Sequence, residues 1–298
     1  MNQIAQLNGF AVDLGGTKTA VASIENGQIN ESRTIQTEGN SAPNVHIEKL
    51  TVMLRDVGYR PNDRLGVAVT GRVDARGDWH AVNRTTLQGI EAIPLGKIIA
   101  EKIGPASLVN DAAAATLAEA QFGSGVGLQN FGYITVSTGV GGGLFLGGRL
   151  HQSTNGLAGH IGFSSSSLSL EMCGSGRFGT VESIASGNAI ARAAQCAGYR
   201  DLDARDVFER ALQGEHWADG LIDKSGQAIA NLCADLTVTL GLEAIALGGS
   251  VGLAKGYLDR VQSHIETIPE LFRPKLVPAS LAHNGPLLGA LIMATHDN

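Results

Sequence analysis

The chain has 298 residues, 43% hydrophobic and 17% charged, with a net charge of −6. That balance excludes a disordered chain, which would carry more charge and fewer apolar residues. With no basic block it also argues against a nucleic-acid partner. The opening "MNQIAQLNGF" has neither a basic start nor an apolar run, so no signal peptide is expected, and no apolar stretch is long enough to span a bilayer.

In chain order, "GFAVDLGGTKTAVASIENGQI" predicts two strands joined by a Gly-rich turn, then an Asn26-Gly27 turn into a third strand. A helix is expected over about 43–58, and "RLGVAVTG" reads as a buried strand. "IPLGKIIAEKIG" predicts a helix, and "ASLVNDAAAATLAEAQFG" a short strand ending at Asn110 followed by an Ala-rich helix. "FGYITVSTGVGGGLFLGGRL" again reads as strand, Gly turn, strand. "TVESIASGNAIARAAQCAG" and roughly 224–242 predict helices. "AIALGGSVG" predicts a strand running into a Gly turn, and "GPLLGALIMATHD" a final helix.

Glycine, at 40 residues, clusters at the predicted strand ends. Such clusters suit backbone that approaches a ligand closely. "VDLGGTKTAVASIENGQ" and "VSTGVGGGLFLGGRL" share one layout, which suggests a duplicated α/β unit. A Rossmann fingerprint would open a helix, whereas "DLGGTKTAVAS" opens a strand, and the Gly-Lys-Ser/Thr spacing of a P-loop is missing. What remains is either an ordinary hairpin turn or a hairpin phosphate loop whose amides form an anion nest, with Thr17 and Lys18 adding a hydroxyl and a charge. Asp111, at a strand-to-helix junction, reads either as a helix N-cap or as a general base. The three scattered cysteines, Cys173, Cys196 and Cys233, form no disulfide framework and suit a reducing, cytoplasmic setting.

"DLGGTK", "NDAAAATLAE", "STGVGGG", "GLAGHIG", "VESIASG" and "GGSVGLAKGYL" together resemble the ROK family of sugar kinases and related repressors, over residues from about 10 to 295. The resemblance implies the actin-like ATPase fold: an α/β chain of two ribonuclease-H-like lobes around a cleft, usually a homodimer. The expected N-terminal lobe covers 1–109, joined by the C-terminal helix 285–298, and the C-terminal lobe covers 110–284. It further implies phosphoryl transfer from ATP to a sugar hydroxyl, with Mg²⁺ held through water by Asp13. ATP phosphates would meet Asp13, Gly15, Gly16, Thr17 and Lys18 in one loop, and Thr138, Gly139, Gly141, Gly142 and Gly143 in a second. The adenosine would meet Gly248, Gly249 and Ser250. Asp111 matches the catalytic base, and Gly71, Asn83, Asn110, His160 and Glu182 match sugar contacts.

Many relatives place Glu where this chain has His160; members acting on N-acetylmannosamine share the His, which makes that sugar the expected substrate and its 6-phosphate, in sialic-acid catabolism, the expected product. Another hexose or N-acetylhexosamine is the alternative, and a non-catalytic sugar sensor a further one. A repressor would need a helix-turn-helix ahead of the first strand, where about nine residues stand. Zinc-bearing relatives carry ligands at the positions of Phe163, Cys173, Ser175 and Thr180; with Cys173 alone retained, no zinc is expected. Phe163, Leu168, Leu170, Met172 and Phe178 are expected to order that loop by apolar contacts instead.

Overall fold

The computed structural model describes residues 6–38, 41–83 and 90–296. The chain forms two compact units.

The first unit contains the chain up to Phe122, Leu150–Ala158 and the residues from His283 onward. Its first three strands, β1 (Gly9–Leu14), β2 (Lys18–Glu25) and β3 (Gln28–Gln36), form an antiparallel meander. Asn26 and Gly27 both take positive φ, 52° and 74°, which is the turn that joins two twisted strands most directly. Helix α1 (Pro43–Asp56) follows, then β4 (Leu65–Val69), buried at every position. A short hairpin of β5 (Arg72–Val73) and β6 (Trp79–His80) precedes α2 (Leu95–Lys102), β7 (Ser107–Asn110) and α3 (Asp111–Phe122). The sheet order is β3-β2-β1-β4-β7, with β1, β4 and β7 parallel. Val12, Leu14, Leu50, Leu54, Val67 and Ile99 build its main core.

The second unit repeats this plan. It has β8 (Phe131–Val136), β9 (Val140–Leu146) and β10 (Arg149–Leu150), then the helices α4 (Glu182–Ala185), α5 (Gly187–Cys196), α6 (Ala204–Leu212) and α7 (His216–Leu240). Strand β11 (Ala244–Gly248) runs into α8 (Gly249–Gly252), followed by α9 (Tyr257–Glu266) and β12 (Lys275–Pro278). The order β10-β9-β8-β11-β12, with β8, β11 and β12 parallel, matches the first sheet strand for strand. Ile134, Val136, Ile190, Ile222, Ile229, Leu247 and Val261 fill its core.

The last helix, α10 (Gly285–His296), returns to the first unit and packs with α3 over Ala68, Val109, Ala113 and Ala114. Small residues permit this. A Cβ on Gly289 would strike the Ala114 carbonyl, and one on Gly66 would strike that of Ala290.

Helix α3 closes the first unit at Phe122, held to α10 by this packing of small residues. Two expectations change. The helix expected through "TVESIASGNAIARAAQCAG" is two helices, since Ser186 is extended (ψ 157°) and its side chain caps α5 by accepting from the Ala189 amide. Helix α7 starts at His216, about two turns before the expected start. The hairpin β5–β6, α6, α9 and β12 were not foreseen, although Asp203 and Asp206 form a capping box legible ahead of α6.

Candidate active site

In the first unit the parallel strands β1, β4 and β7 end in register, Leu14 beside Val69 and Val69 beside Asn110. Ligands of open α/β sheets gather at this carboxyl edge. The residues there are Asp13 on β1, Thr70 and Gly71 after β4, Asn110 closing β7 and Asp111 opening α3. Asp13's carboxyl is pushed up to about 7, first by burial and then by the charge of Asp111.

The N-cap of α3 is not Asp111 but its neighbour. Asn110 Oδ1 accepts from the Ala113 amide at 3.0 Å, so Asn110 caps α3 and Asp111 occupies the first helical position. Asp111 Oδ1 accepts from Ala112 N (2.8 Å) and Asn110 Nδ2 (2.9 Å), and Oδ2 accepts from the Thr70 hydroxyl (2.7 Å). Asn110 Nδ2 also donates to the Gly71 carbonyl at 2.7 Å, which draws Gly71 into the same cluster. Gly71 has φ +94°, a conformation that favours glycine. Asn110 is thereby engaged within the chain through both its amide nitrogen and its oxygen. Asn83 lies in the loop after β6, beside residues outside the described set.

The β1–β2 turn is tight, with Gly15 N donating to Lys18 O at 3.0 Å, and a Cβ on Gly15 would stand 2.6 Å from that oxygen. Thr17 and Lys18 are exposed, with Gly16 beside them.

In the second unit the equivalent turn is Ser137–Gly139, with Thr138 exposed. It is stitched to the start of α5: Gly187 N donates to Ser137 O (2.7 Å) and Asn188 N to Thr138 O (3.3 Å). Glu182 is buried, and its Oε2 accepts from Val140 N at 3.1 Å. Gly139 admits it, since a Cβ there would lie 2.6 Å from that oxygen. Burial raises the Glu182 carboxyl above the usual range, with the Val140 amide opposing. Gly248 ends β11, and Gly249 (φ +85°) turns the chain so that Ser250 Oγ meets Ser137 Oγ at 3.0 Å.

Gly141, Gly142 and Gly143 lie in strand β9, not in the turn, and the last two are buried. A Cβ on Gly142 would meet the Ile161 side chain, and one on Gly162 the Val140 carbonyl. This part of the run makes room for the segment that carries His160. The His160 ring is half-buried and stacks on Phe163, with centroids 6.2 Å apart and planes 19° apart.

The loop from Phe163 to Glu182 is not ordered as expected. Leu170 is 80% exposed, and Met172 and Phe178 are each 59% exposed. Hydrogen bonding holds it instead: isolated bridges join Ser165 to Thr180 and Met172 to Phe178, Ser169 Oγ meets Ser183 Oγ at 2.8 Å, and Cys173 Sγ meets Ser175 Oγ at 3.0 Å. At the positions of the missing ligands, Ser175 pairs with Cys173, and the Thr180 hydroxyl accepts from the Ser183 amide at 3.2 Å. Of the apolar set, Phe163 stacks on His160. Sequence reasoning also passed over Thr70, whose partner lies 41 residues away.

The ROK family model matches residues 9–297. An N-acetylmannosamine kinase of Haemophilus influenzae is 39% identical over 94% of this chain and 93% of its own length. The crystal structure of a ROK hexokinase from Thermus thermophilus superposes with a TM-score of 0.81 at 30% identity, covering 97% of this chain and 98% of that one. A ROK family glucokinase from Streptomyces griseus, in complex with glucose and AMPPNP, superposes at 0.84 with 24% identity over 97% and 99% of the two chains.

Proposed function

The chain belongs to the ROK family and has its actin-like ATPase fold, and on that premise we propose that it is an ATP-dependent kinase that phosphorylates N-acetylmannosamine on its 6-hydroxyl. The likeness to N-acetylmannosamine kinases, at 39% identity over nearly the whole of both chains, supports the choice of sugar. The observation that carries the chemistry is the Asp111 carboxylate, fixed by three hydrogen bonds at the carboxyl edge of a parallel sheet and coupled to Asp13.

Asp111 takes the proton of the sugar hydroxyl as its oxygen attacks the γ-phosphorus, and ADP leaves. The turns at Gly15–Lys18 and Ser137–Gly139 offer backbone N–H groups to the phosphates, with the Lys18 ammonium adding charge. Gly248, Gly249 and Ser250 receive the adenosine. Asp13 suits Mg²⁺, which takes one or two carboxylates, waters and substrate phosphates, because a cation would relieve the mutual repulsion of Asp13 and Asp111. Bound there, the ion would neutralise charge developing on the transferred phosphoryl group. Gly71, Asn83, His160 and Glu182 recognise the sugar, and His160 does so as a ring offering one donor and one acceptor. The product feeds sialic-acid catabolism in the cytoplasm, and the active species is a homodimer. No helix among the described residues is long and apolar enough to cross a membrane.

A coupled assay over glucose, mannose, N-acetylglucosamine and N-acetylmannosamine tests this reading. The expected result is highest kcat/KM on N-acetylmannosamine, with Asp111→Asn lowering kcat at least ~10²-fold while sugar binding survives. A preference for glucose would reassign the substrate, and no phosphorylation of any sugar would point to a sensor.

A further inference from the structure

The two bonds to Asp111 Oδ1 come from its own chain neighbours, Asn110 and Ala112. By themselves they leave the far oxygen loosely aimed, since the terminal torsion of an Asp side chain is broad. The bond to Oδ2 comes from a different strand end, at Thr70, and it fixes the plane of the carboxylate. Thr70 is itself fixed on both backbone groups. Its N–H donates to the Leu14 carbonyl at 3.0 Å, joining the ends of β4 and β1, and its carbonyl accepts from the Trp79 indole at 2.8 Å. Trp79 is 1% exposed, so this anchor is part of the core.

We infer that Thr70 is a positioning residue for phosphoryl transfer: its hydroxyl, held by the β1 end and by Trp79, sets the direction in which the Asp111 carboxylate faces the sugar hydroxyl. This rests on the reading of Asp111 as general base. Proton transfer requires the base within hydrogen-bond reach of the proton it takes, and small misplacements of a reacting group cost rate far more than affinity. A strand-end threonine with both backbone groups already engaged contributes through its side chain, and that side chain donates to the base.

The test compares Thr70→Val, nearly the same shape without the donor, with Thr70→Ser, which keeps it. Thr70→Val is expected to lower kcat ~10- to 100-fold with KM for sugar and for ATP changed less than about threefold, and Thr70→Ser to retain most of kcat. In the Asp111→Asn background Thr70→Val is expected to have almost no further effect, because residues acting as a unit are non-additive. If Thr70→Val does not fold, Thr70→Ala carries the same contrast with Ser. A Val or Ala variant with wild-type kcat, a Ser variant as slow as Val, a rise in sugar KM at unchanged kcat, or full multiplicative loss in the double variant would each overturn the inference while leaving the kinase reading intact. A wild-type chain inactive on every sugar would overturn both.

Discussion

At the scale of single residues, the proposed site is held by side chains that take up nearby backbone amides. Asn110 caps α3, so Asp111 does not have to. Glu182 is buried against the second Gly turn, where it steadies Val140 while its own ionisation is opposed by burial. Its raised carboxyl gives a pH signature. Between about 4.3, where a glutamate titrates in the unfolded chain, and its higher folded value, the native state holds more protons than the unfolded state. Stability therefore falls as pH rises through that window. Glu182→Gln keeps an oxygen for the Val140 amide and removes the titration. Its melting temperature relative to wild type is expected to be higher at pH 8 than at pH 4. An equal difference at both pH values in thermal denaturation would reject the burial argument.

At the scale of elements, close approach decides more than propensity does. Alanine is about 1 kcal/mol better than glycine inside a helix. At Gly220 in α7, where nothing lies within 4 Å of an added Cβ, Gly220→Ala is expected to stabilise by about 0.5–1 kcal/mol. At Gly289 in α10 the same change drives a methyl into the Ala114 carbonyl, and a net loss of about 1–3 kcal/mol is expected. Urea titrations of the two variants would show opposite signs, and a stabilised Gly289→Ala would mean α3 and α10 separate freely. The loop from Phe163 to Glu182 yields a second prediction. With Phe163, Ser175 and Thr180 in place of metal ligands, and hydroxyl pairs ordering the chain, protein purified without added metal should carry far less than one zinc. Chelation followed by Mg²⁺ should restore full activity. Elemental analysis finding about one zinc per chain, lost together with activity, would contradict this.

At the scale of the molecule, one α/β plan is used twice, each sheet running from a three-stranded meander into two parallel strands. Each copy offers a Gly turn between its first two strands, and the residues proposed for function are divided: Asp13, Asn110 and Asp111 in the first unit, His160 and Glu182 in the second. The proposed homodimer is checked by light scattering, which should return about twice the 30.9 kDa of one chain; a mass of one chain at working concentration would remove the dimer from the proposal.

Much of this was legible in the order of residues. Short apolar runs flanking Gly-rich turns mark β1, β2 and β8, Asn26-Gly27 marks the turn, the two Gly-rich hairpins mark a repeat, and Asp111 stands at a strand-to-helix junction. These are local signals, set by backbone sterics and by which face of a strand meets the core within a few residues. What only the tertiary structure decided depends on partners distant in the chain. The Thr70–Asp111 bond spans 41 residues and exists because β4 and β7 pair in parallel at a particular register. Gly142 and Gly143 read as part of a Gly-rich turn, yet they lie in strand β9, where Ile161 packs onto Gly142. Leu170, Met172 and Phe178 have the composition of a core and lie exposed, because serines and backbone bridges had already ordered their loop. Composition states what a residue can bury or bond; only the assembled register states what lies opposite it.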